Sequence, residues 1–375
     1  MPNNATVMGP ESAGLSRRRR ALLGYALGSV GAALAEPVMA ASPPGRILAA
    51  LREPALKTAR MTSVALLASA KAGERLVCVG ERGIAIYSDD SGQSWMQAHV
   101  PVSATLTAVN FVSPSLGWCV GHLGVVLNTQ DGGRTWTKQL DGLQLPAVIN
   151  ALADDPASSL GLDAKARLKS QAVALESDGP DKPFFDLDFR DERQGVVVGA
   201  YNLAFRTGDG GRTWKPFSHD IDNPKGMHLY ALARRGSDLF AVGEQGIVLR
   251  ASGEGTAMKA AISPYKGTLF GAVSTEGSLV AYGLRGKAFA SIDGATTWHE
   301  SITGVGSSIG CGVALGEERI ALATHAGDLL LSENGGRIFK RQSMPEALAF
   351  TSLLFVKPGL LIGTTLRGVR RVSLA

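Results

Sequence analysis

The residues best placed for chemistry recur. Asp90, Asp131, Asp209 and Asp293 each lie two residues after a Ser or Thr and five before a Trp, namely Trp95, Trp136, Trp214 and Trp298. Carboxylates in glycine-rich turns can ligate calcium. A site that does chemistry is singular, however, and this pattern repeats along the chain. The reading adopted is therefore structural: each carboxylate accepts hydrogen bonds from its own turn, glycine supplies the left-handed conformation, and the Trp packs between repeats. A second set, Arg82, His122, Tyr201, Glu244, Arg285, His325 and Arg367, follows short apolar runs. Within it, Tyr201 and Glu244 are the pair that a hydrolase with a tyrosine nucleophile would need, with arginines to hold an anionic substrate. Exposed arginines are equally suited to grip a carboxylate on a protein surface. Cys78, Cys119 and Cys311 lack zinc-ligand spacing and read as small buried apolar residues. The sequence holds no phosphate-binding loop, metal-ligand cluster or nucleophile elbow. No catalytic residue, metal or cofactor is assigned.

The elements that must position these residues follow from their spacing. Boxes of the form Ser/Thr-x-Asp-x-Gly-x-x-Trp occupy 88–95, 129–136, 207–214 and 291–298, and a weaker copy at 332–339 has Asn334 and Phe339. Trp95 to Trp136 is 41 residues, and so is Trp298 to Phe339. Trp214 to Trp298 is 84, two periods with a degenerate box near 252–259; Trp136 to Trp214 is 78, one period plus an insertion. A second marker, an apolar run ending in Gly, keeps the same period: Val77-Cys78-Val79-Gly80, Val196-Val197-Val198-Gly199 and Leu360-Leu361-Ile362-Gly363 are examples. Each repeat reads as four short strands joined by tight turns. Repeats of about 40–45 residues with four strands are propeller blades.

Seven repeats predict an all-β fold, a seven-bladed β-propeller over residues 61–375. The last repeat supplies only three strands. A strand within 55–70 is expected to complete it and close the ring by strand exchange between the N- and C-terminal segments. Cys78 and Cys119 fall in equivalent strands of neighbouring blades, about 10 Å apart and too far for a disulfide. Residues 141–183 form one short helical insertion between blades two and three, with helical patterns at 145–152 and 163–176. The second pattern runs through Ala164, Leu168, Val173 and Leu175. In a propeller, the turn between strands two and three shares a face with the links between blades. Arg82, His122, Tyr201, Glu244, Arg285, His325, Arg367 and the insertion are thus expected on one face, and the boxes on the other.

The N-terminus reads as an export signal. Arg17, Arg18, Arg19 and Arg20 precede an uncharged run over 21–35, and Val38-Met39-Ala40 has the small-residue pattern of a cleavage site. The run is shorter than the roughly 20 residues that span a bilayer. Residues 1–40 are assigned to the signal and 41–60 to a linker, with an uncleaved membrane anchor as the alternative. Without 1–40, 34 basic and 31 acidic residues remain, a net charge of +3. Spread over such a length, this is no nucleic-acid footprint.

The boxes resemble the Asp-box, or bacterial neuraminidase repeat. Together with the Gly-Glu-Arg-Gly turn at 80–83, the run at 88–95 and the common spacing, residues 60–375 resemble the photosystem II stability/assembly factor family of seven-bladed propellers. Ser16-Arg17-Arg18-Arg19-Arg20-Ala21-Leu22-Leu23 resembles a twin-arginine signal. The family resemblance implies a non-enzymatic scaffold, exported to the periplasm, that docks as a monomer on a membrane protein or membrane-associated complex. Two alternatives come from other classes: a sialidase-like glycoside hydrolase, and a lectin-like or small-ligand binder. Against the hydrolase, the Phe-Arg-Ile-Pro motif of sialidases is missing, and seven repeats exceed their six.

Overall fold

The computed structural model describes residues 44–253, 257–344 and 346–374. The segment assigned to the export signal lies outside them. The chain divides into residues 1–46 and 47–375, and the architecture below is that of the second unit.

Seven antiparallel sheets follow one another around a ring. The first holds β1 (Leu66–Ala72), β2 (Arg75–Gly80), β3 (Ala85–Ser88) and β4 (Met96–Gln97). The second holds β5 (Leu106–Phe111), β6 (Gly117–Gly121), β7 (Val126–Thr129) and β8 (Thr137–Leu140). The third is β9 (Phe184–Phe189), β10 (Gly195–Gly199), β11 (Ala204–Thr207) and β12 (Lys215–Pro216). The fourth is β13 (Leu229–Arg235), β14 (Asp238–Gly243), β15 (Val248–Ala251) and β16 (Lys259–Ala260). The fifth is β17 (Leu269–Ser274), β18 (Leu279–Gly283), β19 (Ala288–Ser291) and β20 (His299–Glu300). The sixth is β21 (Ile309–Ala314), β22 (Ile320–Thr324), β23 (Leu329–Ser332) and β24 (Lys340–Gln342). The seventh has three strands: β25 (Phe350–Lys357), β26 (Leu360–Thr365) and β27 (Gly368–Ser373). Second strands such as β6, β18 and β22 are buried along their whole length. Each is covered on both sides by a neighbouring blade, so both faces must be apolar.

The expected strand exchange is not how the ring closes. Residues 53–65 form no strand, and β1 is itself the inner strand of blade one. Residues 55–58 run instead along the outer edge of blade one. There Ala55 N–H donates to Val100 O, and the Gln97 side chain bonds Leu56 O and Thr58 N. One backbone bond, Val369 N to Thr62 O, touches β27. Blades seven and one meet through side chains: Thr351 Oγ1 donates to Leu66 O at 2.6 Å, and Ser69 bonds Ser352 at 2.8 Å. Met61, Val64 and Val369 pack on the apolar cluster around Leu66 and Ile362.

A short helix, α1 (Pro44–Arg52), precedes the ring. Between β8 and β9 stand α2 (Leu145–Asp154) and α3 (Leu162–Asp178). α2 begins with Pro146 near its N-terminus, where a missing N–H costs nothing. α3 ends on Gly179 at φ 82°. Leu145, Ile149 and Ala153 of α2 join Leu168, Ala172 and Leu175 of α3 over Phe184 and Leu203. The buried stripe therefore passes through Ala172. Val173, expected on the apolar face, is exposed.

The boxes close their turns from within. In blade two, Asp131 Oδ1 accepts from Thr129 Oγ1 at 2.9 Å and from the N–H groups of Arg134 and Thr135 at 3.0 and 2.9 Å. Thr135 Oγ1 donates to Oδ2 at 2.7 Å. Asp90, Asp209 and Asp293 repeat the arrangement. Trp136 and Trp214 are buried, whereas Trp95 and Trp298 are half-buried. Blade four lacks the box, and buried Met258 takes the Trp place: Lys259 after it pairs with Arg250 as Lys215, the residue after Trp214, pairs with Arg206. Cys78, Cys119 and Cys311 are unpaired and buried.

Candidate functional site

The antiparallel order fixes two faces. The turns between second and third strands and the links between blades, α2 and α3 included, lie on one, here the turn face. The boxes lie on the other, the box face.

The glycine marker has a steric cause on the turn face. A Cβ at Gly80 would stand 2.1 Å from Ala65 O, and the same conflict recurs at Gly121, Gly199, Gly243 and Gly283. The next N–H donates to that carbonyl, as Glu81 does to Ala65 O and Glu244 to His228 O. The marker assigned to Gly363 is out of register. Thr365 is the residue paired with Phe350, as Gly80 is with Leu66, and Gly363 instead lies beneath the Phe350 ring.

Register also sorts the seven site residues. Each turn has three positions. Arg82, Tyr201, Arg285 and Arg367 occupy the middle one, and the first three have φ between 53° and 58°. Leu123, Gln245 and Ala326 fill it in the other blades. His122, Glu244 and His325 occupy the first position, so the seven do not form one equivalent ring. Glu244 is committed locally: its Oε2 accepts the His228 N–H at 3.2 Å, as Glu81 Oε1 accepts that of Ala65 at 3.0 Å. Both carboxylates cap the start of an inner strand. Tyr201 and Glu244 do meet, through His228 between them: Tyr201 N–H donates to its Nδ1 at 3.0 Å, and Glu244 Oε2 is 3.8 Å from the same atom. An Nδ1 that accepts places the neutral ring's proton on Nε2.

The inner strands carry a feature that the site residues alone do not reveal. In every blade the pairing of the first strand with the second skips one residue near its start. Such bulges re-aim a side chain. The skipped residues include Phe185, Tyr230 and Phe270 in blades three, four and five. Their rings form an arc with their neighbours. Tyr201 lies 4.5 Å from His228, Phe185 lies 5.2 Å from Tyr230, Tyr230 lies 6.1 Å from Phe270, and Phe270 lies 5.9 Å from His325. His228 closes on Phe185 at 6.1 Å. The arc thus spans blades three to six on the turn face, with each member exposed or half-buried. Burial, and then the Glu244 charge, push the Tyr230 hydroxyl above its usual range. It therefore stays a neutral hydrogen-bond donor.

Beside the arc, α3 and the 200–203 and 218–226 segments bound a groove of about 590 Å³. Lys182 stands 5.5 Å over the Tyr201 ring. Arg82, Arg285 and Arg367 are exposed, and among the described residues no carboxylate forms an ion pair with them. Deeper in the ring, Asp186 of β9 accepts the N–H of Leu232 from β13 at 2.7 Å and that of Leu187 at 2.8 Å. Burial raises its carboxyl to about 7. Among the described residues no group of three His, Cys, Asp or Glu could hold a metal, and no helix is long and apolar enough to cross a membrane.

The class these observations define is a seven-bladed β-propeller whose turn face carries an aromatic arc and exposed arginines. A family model, described as Photosynthesis system II assembly factor YCF48, matches residues 87–151 and 164–309. The chain belongs to that family. Its fold resembles that of YCF48 bound to a D1 peptide, with 18% identity and a TM-score of 0.61 over 86% of this chain and 99% of that one. YCF48 from Cyanidioschyzon merolae is similar at 13% identity and a TM-score of 0.59, over 86% and 98%. The fold is shared more widely: virginiamycin B lyase from Staphylococcus aureus matches at 9% identity and a TM-score of 0.61, over 86% and 99%. No curated protein matches the chain by sequence.

Proposed function

We propose that this chain is an exported, non-enzymatic scaffold of the assembly-factor type, docking on a membrane protein or membrane-associated complex through its turn face. The observation that carries this reading is the aromatic arc from Tyr201 to His325, on the same face as Arg82, Arg285 and Arg367, which form no ion pair among the described residues. Aromatic and arginine side chains dominate the energetics of protein interfaces. Their pairing suits a partner segment that offers apolar side chains and a carboxylate. A related propeller is described with a bound D1 peptide, which supports a peptide segment as the ligand. Export rests on the arginine-led N-terminus alone.

The test is capture from solubilised membranes by the tagged chain. Tyr230→Ala with Phe270→Ala, or Arg82→Glu with Arg285→Glu, should weaken capture at least tenfold without lowering the melting temperature by more than a few degrees. Arg134→Glu with Arg212→Glu on the box face should bind as the parent does. Undiminished capture by both turn-face variants would refute the docking assignment. For export, the secreted chain should begin near Ala41. A cytosolic chain that retains Met1 would refute it.

A further inference from the structure

Blade seven ends one strand short. In the six other blades a fourth strand pairs with the third over two or three residue positions, and each of those third strands has four residues. β27 has six, and among the described residues no strand pairs with its outer edge. Its parity follows from the bonds that exist. Val369 N–H points outward to Thr62 O, while Leu374 N–H points inward to Gly359 O. Successive residues alternate, so the N–H and C=O groups of Arg371 and Ser373 face outward. No backbone partner reaches them among the described residues.

The charge carried by blade seven's own residues has one sign. From 347 to 375 the chain contains Lys357, Arg367, Arg370 and Arg371 and no Asp or Glu. Arg370 and Arg371, adjacent in the strand, extend to opposite faces of the sheet. Arg371 is exposed, and neither forms an ion pair among the described residues. A second copy would bring the same positive edge. Residues 1–43 bring Arg17, Arg18, Arg19 and Arg20 against only Glu11 and Glu36. Both occupants are disfavoured by like charge.

We propose that the β27 edge is a docking site for an acidic, extended segment of a partner protein, which adds to blade seven as its fourth strand. Main-chain bonds to Arg371 and Ser373 would hold the segment, and Arg370 and Arg371 would select acidic side chains on either side of it. This surface is separate from the turn face, so either assignment can fail while the other stands.

The probe is a capped octapeptide of alternating Thr or Val and Glu, compared with its Lys-for-Glu counterpart. Binding to the full chain is read by fluorescence anisotropy and by amide exchange. The acidic probe should bind at least tenfold tighter than the basic one, and more weakly as salt rises. The amides of Arg371 and Ser373 should slow on binding, while those of Arg370 and Val372, already paired with β26, should not change. Arg371→Pro, which removes the N–H, should abolish binding. Arg370→Glu with Arg371→Glu should reverse the preference at an unchanged melting temperature, which keeps the test open should Arg371→Pro unfold. Equal binding of both probes, or none, would overturn the proposal. So would edge amides already protected without peptide, with dimers in sedimentation identifying a second copy and monomers identifying the chain's own N-terminal segment.

Discussion

Replacing Asp131 with Ala should unfasten one box and leave the neighbouring blades intact. The carboxylate holds four donors: Thr129 Oγ1, the N–H groups of Arg134 and Thr135, and Thr135 Oγ1. Water can replace it at the exposed Arg134 and Thr135, but Thr129 is buried. The net loss is therefore about 1–3 kcal/mol rather than the gross sum of the bonds, a few degrees in melting temperature. The molecule supplies its own comparison. Asn334 in blade six accepts only from Ser332 Oγ at 2.9 Å and from the Ile338 N–H at 3.0 Å. Asp131→Asn should thus cost less than Asp131→Ala, and Asn334→Asp should stabilise the chain at neutral pH. Burial pushes the Asp131 carboxyl up, but the bonds from Thr135, Thr129 and Arg134 outweigh it and bring it below its ordinary range. A lowered pKa in the folded state gives stability that is present above the unfolded value and lost as pH falls through the folded one. Urea unfolding should therefore show the Asp131→Ala deficit at about pH 7 and a smaller one at about pH 3. A variant as stable as the parent at neutral pH, or a deficit that grows on acidification, would refute this account of the boxes.

Asp186 should have the opposite dependence on pH. Its carboxyl is raised to about 7, so the folded state binds the extra proton and stability falls as pH rises from about 4 to about 7. Asp186→Asn should flatten that slope in urea unfolding, by at most about 4 kcal/mol across the window; an unchanged slope would rule Asp186 out as its source. In α3, Leu168→Ala should cost about 2–5 kcal/mol, and Val173→Ala should stay within about 0.5 kcal/mol. Equal losses by calorimetry would contradict the burial of one and the exposure of the other.

The fold was legible because a strict period of 41 residues leaves few architectures open. Both insertion helices were legible because apolar residues recur at helical spacing over 145–152 and 163–176. The stripe was misjudged at Val173 because Ala172, small and uninformative in a pattern, is the residue that fits beneath α2. The short last blade was visible in the strand count. What was not visible is that residues 55–58 bind the outer edge of blade one, through one backbone bond and the Gln97 side chain, contacts that leave no periodic trace. The turn residues Tyr201 and His325 were found from the glycine marker. Their ring neighbours were missed because a bulge hides them from simple alternation. Phe185 lies 14 residues before Gly199, and Tyr230 and Phe270 lie 13 before Gly243 and Gly283. Aligning inner strands on the glycines would have exposed three aromatics at one repeat position.

The central claim is that the partner meets the turn face. A photo-crosslinking amino acid at Gln245, in blade four within the span of the aromatic arc and one blade before Arg285, tests it most directly, with the same probe at Arg212 on the box face for comparison. Illumination of native membranes should yield an adduct with a membrane protein from position 245 and none from 212. An adduct from 212 alone would contradict the account.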